Sequence, residues 1–235
     1  MLGSYISNLL WLAGFVLEAY VVVYSFHKKT FVRNFPINFY MLCEATVTLG
    51  LYFCSRRFGT NSVTYAYYYY YTDSLLTILM FWVIIRFYQM VFSEMHVSQY
   101  VRKFAVLLLL ATAAFSYAVV HHQFKSNFTN QFVLALGQNL YFVGVVLTYL
   151  LWGTVLKLRE TRIRLVQLIL ALGVYFSGTA GTYAIGNLFP HLYLPFFRFL
   201  LPIFGLWLPL AWAYTLTRVP EDARLATASL LARAR

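Results

Sequence analysis

Residues 5–25 read YISNLLWLAGFVLEAYVVVYS, and residues 27–33 read HKKTFVR. The first stretch is apolar over about the 20 residues an α-helix needs to cross the hydrocarbon core of a bilayer. The second is a short basic turn. Pro36, suited to the first turn of a helix, then opens another apolar run, which ends before Arg56-Arg57-Phe58-Gly59. The same alternation continues to the far end of the chain. It predicts seven spans, at 5–25, 36–55, 63–87, 104–120, 132–156, 163–187 and 194–216. Pro202 and Pro209 predict kinks in the last of them.

Composition points the same way. Hydrophobic residues make up 61% of the 235-residue chain and charged residues 11%, against about 25% charged in a soluble domain. A water-exposed surface cannot accommodate so many apolar side chains, whereas lipid-facing positions require them. The fold class is therefore an all-α polytopic membrane protein. Residues 1–217 form one seven-helix bundle, and 218–235 form a short tail. In the tail, Pro220-Glu221-Asp222 predicts a helix start. Leu225, Leu230 and Leu231 would lie on the membrane, with the arginines toward headgroups. The N-terminus lacks a basic n-region and an A-x-A cleavage site, so no removable signal peptide is expected.

Orientation follows from the basic residues in the short loops. With the N-terminus outside and the C-terminus cytoplasmic, the cytoplasmic side holds Lys28, Lys29, Arg33, Arg86, Arg102, Lys103, Lys157, Arg159, Arg162, Arg164, Arg218, Arg224, Arg233 and Arg235. The outer side holds Arg56, Arg57, Lys125 and Arg198, a ratio of 14 to 4. This bias accounts for the net charge of +11 without a nucleic-acid partner, since no continuous basic face is present. Membrane lipids are the partners it implies. Cys43 and Cys54, eleven residues apart on one predicted helix, stand too far apart to bridge within it.

Three acids fall inside spans, where an ionisable group costs at least about 2.5 kcal/mol and marks a candidate functional site. Glu18 and Glu44 each lie about eight residues, roughly 12 Å, from the cytoplasmic boundary of adjacent antiparallel spans. At one level they could share a proton, bind a cation open to the cytoplasm, or each hydrogen-bond between helices. Asp73 lies nearer the outer side, where an ion pair with Arg198 would tie the third span to the seventh. In the sixth span, Gly173, Ser177 and Gly181 form a small-residue row suited to close helix packing, and Gly178, Thr182 and Gly186 form a second. The tract Tyr65-Ala66-Tyr67-Tyr68-Tyr69-Tyr70-Tyr71 reads as an interfacial aromatic belt, or as the lining of a vestibule for a sugar or cation. Asn127-Phe128-Thr129 is a glycosylation sequon, relevant only in a eukaryotic secretory route.

Several chemistries lack their residues. The seventh span has no lysine for a retinal Schiff base, and no in-span histidine pair is placed to hold haem. His121, His122 and His191 share the outer side without metal-ligand spacing. No H-E-x-x-H, G-x-S-x-G or phosphate-binding glycine loop occurs. No cofactor, metal or enzymatic activity is therefore expected.

The entry into the second span, Arg33-Asn34-Phe35-Pro36-Ile37-Asn38-Phe39-Tyr40, together with the seven-span layout, resembles a group of uncharacterised bacterial membrane proteins of acidobacterial type. The resemblance implies the bacterial inner membrane and carries no assigned activity. Spans one to three and five to seven have matching lengths around the fourth, as in some small transporters, but they match poorly residue by residue. Two functions are compatible with these features. One is a non-enzymatic module: a sensor or receptor-like bundle, or a membrane subunit with a protein partner or a second copy of itself. The other is a small proton- or cation-coupled transporter using Glu18 and Glu44.

Overall fold

A computed structural model describes residues 2–92, 98–123, 128–158, 160–220 and 223–224. It contains seven helices, and no strand is present among the described residues. They are α1 (Leu2–His27), α2 (Phe35–Phe58), α3 (Val63–Val91), α4 (Ser98–Gln123), α5 (Phe128–Lys157), α6 (Ile163–Leu188) and α7 (Pro190–Arg218). Helix α7 runs through Pro202 and Pro209 without interruption.

The packing is a ring. α1 lies against α2, α2 against α3, α3 against α5, α5 against α6, α6 against α7, and α7 closes the circle on α1. α4 stands outside, packed on α5 and α3. Among the described residues, six stretches are long and apolar enough to cross a bilayer: Leu9–His27, Phe35–Phe58, Val63–Val91, Gln131–Lys157, Ile163–Leu188 and Leu200–Arg218. These are the six ring helices; in α4 the apolar stretch Val106–His121 is shorter. Leu9, Val23, Phe53, Leu110, Val146 and Leu156 are each more than half exposed on the bundle's outside, as a surface facing hydrocarbon demands.

Two turns show how the sequence sets these helices. Between α1 and α2, Asn38 is fully buried; its Nδ2 donates to the Phe31 carbonyl at 3.1 Å, and its Oδ1 accepts from Ser25 Oγ at 2.8 Å. One amide thus fixes the basic turn and both helices beside it. Between α2 and α3, Gly59 at φ +82° closes α2, a conformation that a Cβ disfavours. Ser62 then caps α3 by accepting from the Tyr65 amide at 3.1 Å.

One end of the bundle carries Lys28, Lys29, Arg33, Arg86, Lys157, Arg162, Arg164 and Arg218. We call it the basic end, and the opposite one the far end. Toward the basic end the centre of the ring is filled. Val21, Met41, Phe81, Ile84, Phe87, Leu151, Ile169, Leu172 and Trp212, drawn from all six ring helices, are at most 1% exposed. Hydrogen bonds cross-tie this half: Tyr88 Oη donates to the Leu147 carbonyl at 2.8 Å, and Trp212 Nε1 donates to the Leu168 carbonyl at 3.3 Å.

Close approaches fix the α5–α6–α7 side. A Cβ on Gly144 would collide with the Phe176 ring, and one on Gly178 would collide with the Phe204 ring. The first small-residue row of α6 sits differently. Gly173 meets only Trp152, at 3.9 Å, and Gly181 has nothing within 4 Å. Tight packing therefore runs through the row of Gly178, Thr182 and Gly186, of which Thr182 and Gly186 are buried. The cause is rotational: four-residue rows starting at 173 and 178 lie on different faces of one helix.

A clasp spans the basic end. Arg162 donates through Nη2 to the Met90 carbonyl at 2.8 Å, and its Nε and Nη2 grip Glu160 at 2.8 and 2.6 Å. Hydrogen bonding and charge from Arg162 hold the Glu160 carboxyl below the usual carboxylate range. Beside the clasp, the Ile163 amide donates to the Ala223 carbonyl at 3.1 Å. Arg224 pairs with Arg162 in an isolated antiparallel bridge. Where the sequence predicts a tail helix from Pro220, these two described tail residues are extended against α6, and residues 221–222 and 225–235 lie outside the described part.

Candidate functional site

The half of the bundle toward the far end is hollow. A cavity of about 530 Å³ lies inside the ring, walled by α1, α2, α3, α5, α6 and α7. Its volume falls in the range of about 300–1,000 Å³ typical of small-molecule sites. The lining runs from the far end to past the middle of the ring: Leu10 to Glu18 of α1, Tyr40 to Leu51 of α2, Tyr65 to Leu76 of α3 and Tyr175 to Tyr183 of α6. The packed half forms its floor.

Helical spacing builds the walls. Residues four apart share a face. On α2 the row is Tyr40, Glu44 and Thr48; on α3 it is Tyr65, Tyr69 and Asp73; on α6 it is Tyr175, Thr179 and Tyr183. The tyrosine tract is divided by the same geometry. Tyr65 and Tyr69 line the cavity, while Tyr67 and Tyr71 are 41% and 43% exposed on the outside. α5 adds Tyr141, whose ring stacks on Tyr183 at 5.5 Å.

All three in-span acids line this one cavity. Asp73 Oδ1 accepts from Tyr141 Oη at 2.8 Å, and that hydroxyl lies 3.4 Å from Tyr175 Oη. The Arg198 side chain, assigned to Asp73 by sequence, lies outside the described residues. Glu18 is 5% exposed, and its Oε2 accepts from Thr48 Oγ1 at 3.3 Å. Glu44 has Tyr40 as a hydrogen-bonding neighbour, but its Oε2 is buried and has no hydrogen-bond partner.

No hydrogen bond joins Glu18 to Glu44 among the described residues, although sequence puts them at one level. Side chains on a helix lean toward its N-terminus. α1 and α2 are antiparallel neighbours, so from one level Glu18 leans toward the far end and Glu44 toward the basic end. Glu18 therefore meets Thr48, one turn beyond Glu44. The acids face the cavity inside the ring. The packed floor separates them from the basic turns.

None of the described lining residues is Lys, Arg or His. Nor do the acids converge: no group of three or more His, Cys, Asp or Glu side chains that could hold a metal ion occurs among the described residues. His121 is exposed and stacks on Tyr117 at 5.7 Å; the side chains of His122 and His191 lie outside the described residues. A second cavity, of about 300 Å³, sits at the basic end among Tyr24, Lys28, Thr30, Arg164 and Arg218.

Comparison with known proteins yields no matching family model, no matching curated protein and no matching solved structure.

Proposed function

We propose that the chain is a non-enzymatic, receptor-like membrane module that takes a small solute into the ring of helices from the face opposite its basic end. The carrying observation is the asymmetry of the bundle: an acid-lined cavity inside the ring on one side, and on the other a layer of buried side chains drawn from all six ring helices. A binding module needs access from one side and a packed element to convey occupancy to the other. α6 and α7 supply such an element. They line the cavity at Tyr175, Tyr183, Leu201 and Gly205, and they end in the floor at Leu168 and Trp212.

In this proposal the basic end lies in the cytoplasm, as the loop-charge bias supports, the cavity lies toward the outside, and all seven helices span the membrane. The cavity containing Lys28, Arg164 and Arg218 suits anionic headgroups at that inner surface. A bacterial inner membrane, reading through a protein partner or a second copy of the chain, completes the proposal.

The alternative is a small transporter using Glu18 and Glu44. One feature favours it: Pro202 and Gly205, residues suited to bending, lie on the cavity wall contributed by α7. Cysteine labelling separates the two. Thr72→Cys, in a background without Cys43 and Cys54, is expected to react with a membrane-impermeant maleimide from the far face alone. Reaction from both faces would favour alternating access, and reaction from neither would remove the receptor reading.

A further inference from the structure

We infer that the cavity takes a small organic ammonium ion, held by Glu44 with Glu18 and Asp73 and walled by tyrosine rings. The inference rests on the receptor-like reading and narrows its ligand.

Charge comes first. Three carboxyl groups face one cavity, and no described lining residue is basic. Glu18, Asp73 and Glu44 have neutral hydrogen-bonding neighbours in Thr48, Tyr141 and Tyr40, but the shielded Oε2 of Glu44 has no partner. A buried carboxylate oxygen without a donor is costly, and a ligand bearing N–H groups or a positive charge would meet that need.

Size and shape favour an organic cation over a bare metal ion. The acids do not converge into a chelating group, and a cavity of about 530 Å³ is far larger than an ion. The walls are the second half of the fit. Tyr40, Tyr69, Tyr141, Tyr175 and Tyr183 come from four helices around the acids, and aromatic faces attract ammonium groups through the ring quadrupole. A neutral polyol would use the hydroxyls but would leave the acids without a counter-charge.

The test uses the purified full-length chain in nanodiscs, read by calorimetry and thermal melting. The probes are choline and phenethylamine, each beside a neutral counterpart of similar shape, 3,3-dimethyl-1-butanol and 2-phenylethanol. At least one ammonium probe is expected to bind with Kd below about 1 mM, and its neutral counterpart at least roughly tenfold more weakly. Glu44→Gln is expected to lower the affinity at least roughly tenfold, and Glu160→Gln, at the basic end, to leave it unchanged. If Glu44→Gln does not fold, Asp73→Asn serves, as does protection of Thr72→Cys from maleimide by the probe in the otherwise native site. Binding by neither ammonium probe would overturn the inference, as would equal binding of the neutral counterparts or an unchanged Glu44→Gln variant. If Thr72→Cys is unreactive from the far face, the receptor-like reading itself fails; if it reacts while the ammonium probes do not bind, only the ligand class does.

Discussion

Asn38 carries more of the structure than its place in an apolar helix suggests. It is fully buried and bonds to Ser25 and to the Phe31 carbonyl. Asn38→Ala leaves both groups without their partner, at a cost of about 1–3 kcal/mol each in a water-poor site. A lowered midpoint in denaturant or thermal melts is expected; an unchanged midpoint would mean that the turn is held by other contacts. Glu160 gives a pH signature at the same scale. Its carboxyl is held below the usual range by Arg162, so the folded form binds its proton less readily than the unfolded one. The clasp's contribution is then present above the ordinary carboxylate pKa of about 4.3 and is lost as pH falls through the lower folded value. The protection factor of the Ile163 amide, corrected for the intrinsic pH dependence of exchange, is expected to fall on acidification in the native chain, and Glu160→Gln should remove that step. A step that persists in the variant would assign it to another group. The sequence marked Glu18, Glu44 and Asp73 because burying an acid is expensive. It could not show which partners they meet, since that depends on the direction in which each side chain leans.

At the scale of the element, the alternation of apolar runs and short polar turns was enough to place all seven helices. It also held a signal that the tyrosine tract obscured. Read every fourth residue, α3 gives Tyr65, Tyr69 and Asp73, α2 gives Tyr40, Glu44 and Thr48, and α6 gives Tyr175, Thr179 and Tyr183. Each is a polar and aromatic stripe on an otherwise apolar helix, and all three face the cavity. A belt reading treats the tract as one object, whereas helix geometry sends alternate tyrosines to opposite sides. The small residues of α6 teach a similar lesson. Two rows fit the spacing rule equally well, and only the neighbours decide between them. Gly178→Ala is expected to destabilise the bundle by about 1–3 kcal/mol, because its Cβ meets the Phe204 ring. Gly181→Ala, with nothing within 4 Å, is expected to be neutral or slightly stabilising, as helix propensity favours Ala over Gly. Equal melting temperatures for the two variants would contradict the placement of the α6–α7 contact.

At the scale of the molecule, the order of helices around the ring was not legible in the chain. Hydropathy gives spans but not neighbours, and the exclusion of α4 from the ring follows from contacts between residues distant in sequence. Its consequence is that six helices enclose a space and the seventh braces the outside. The division into a hollow and a packed half is the property on which the functional reading rests, and α3 crosses both. Cysteines placed singly along it, at Tyr65, Tyr69, Thr72 and Leu76 and then at Met80, Ile84 and Phe87, can be tested with an impermeant maleimide from each face of oriented vesicles. Reaction from the far face down to Leu76, with none from Met80 onward and none from the basic face, is the expected result. Reaction at Met80, Ile84 or Phe87 from the basic face would mean that the floor opens, and would contradict a one-sided cavity.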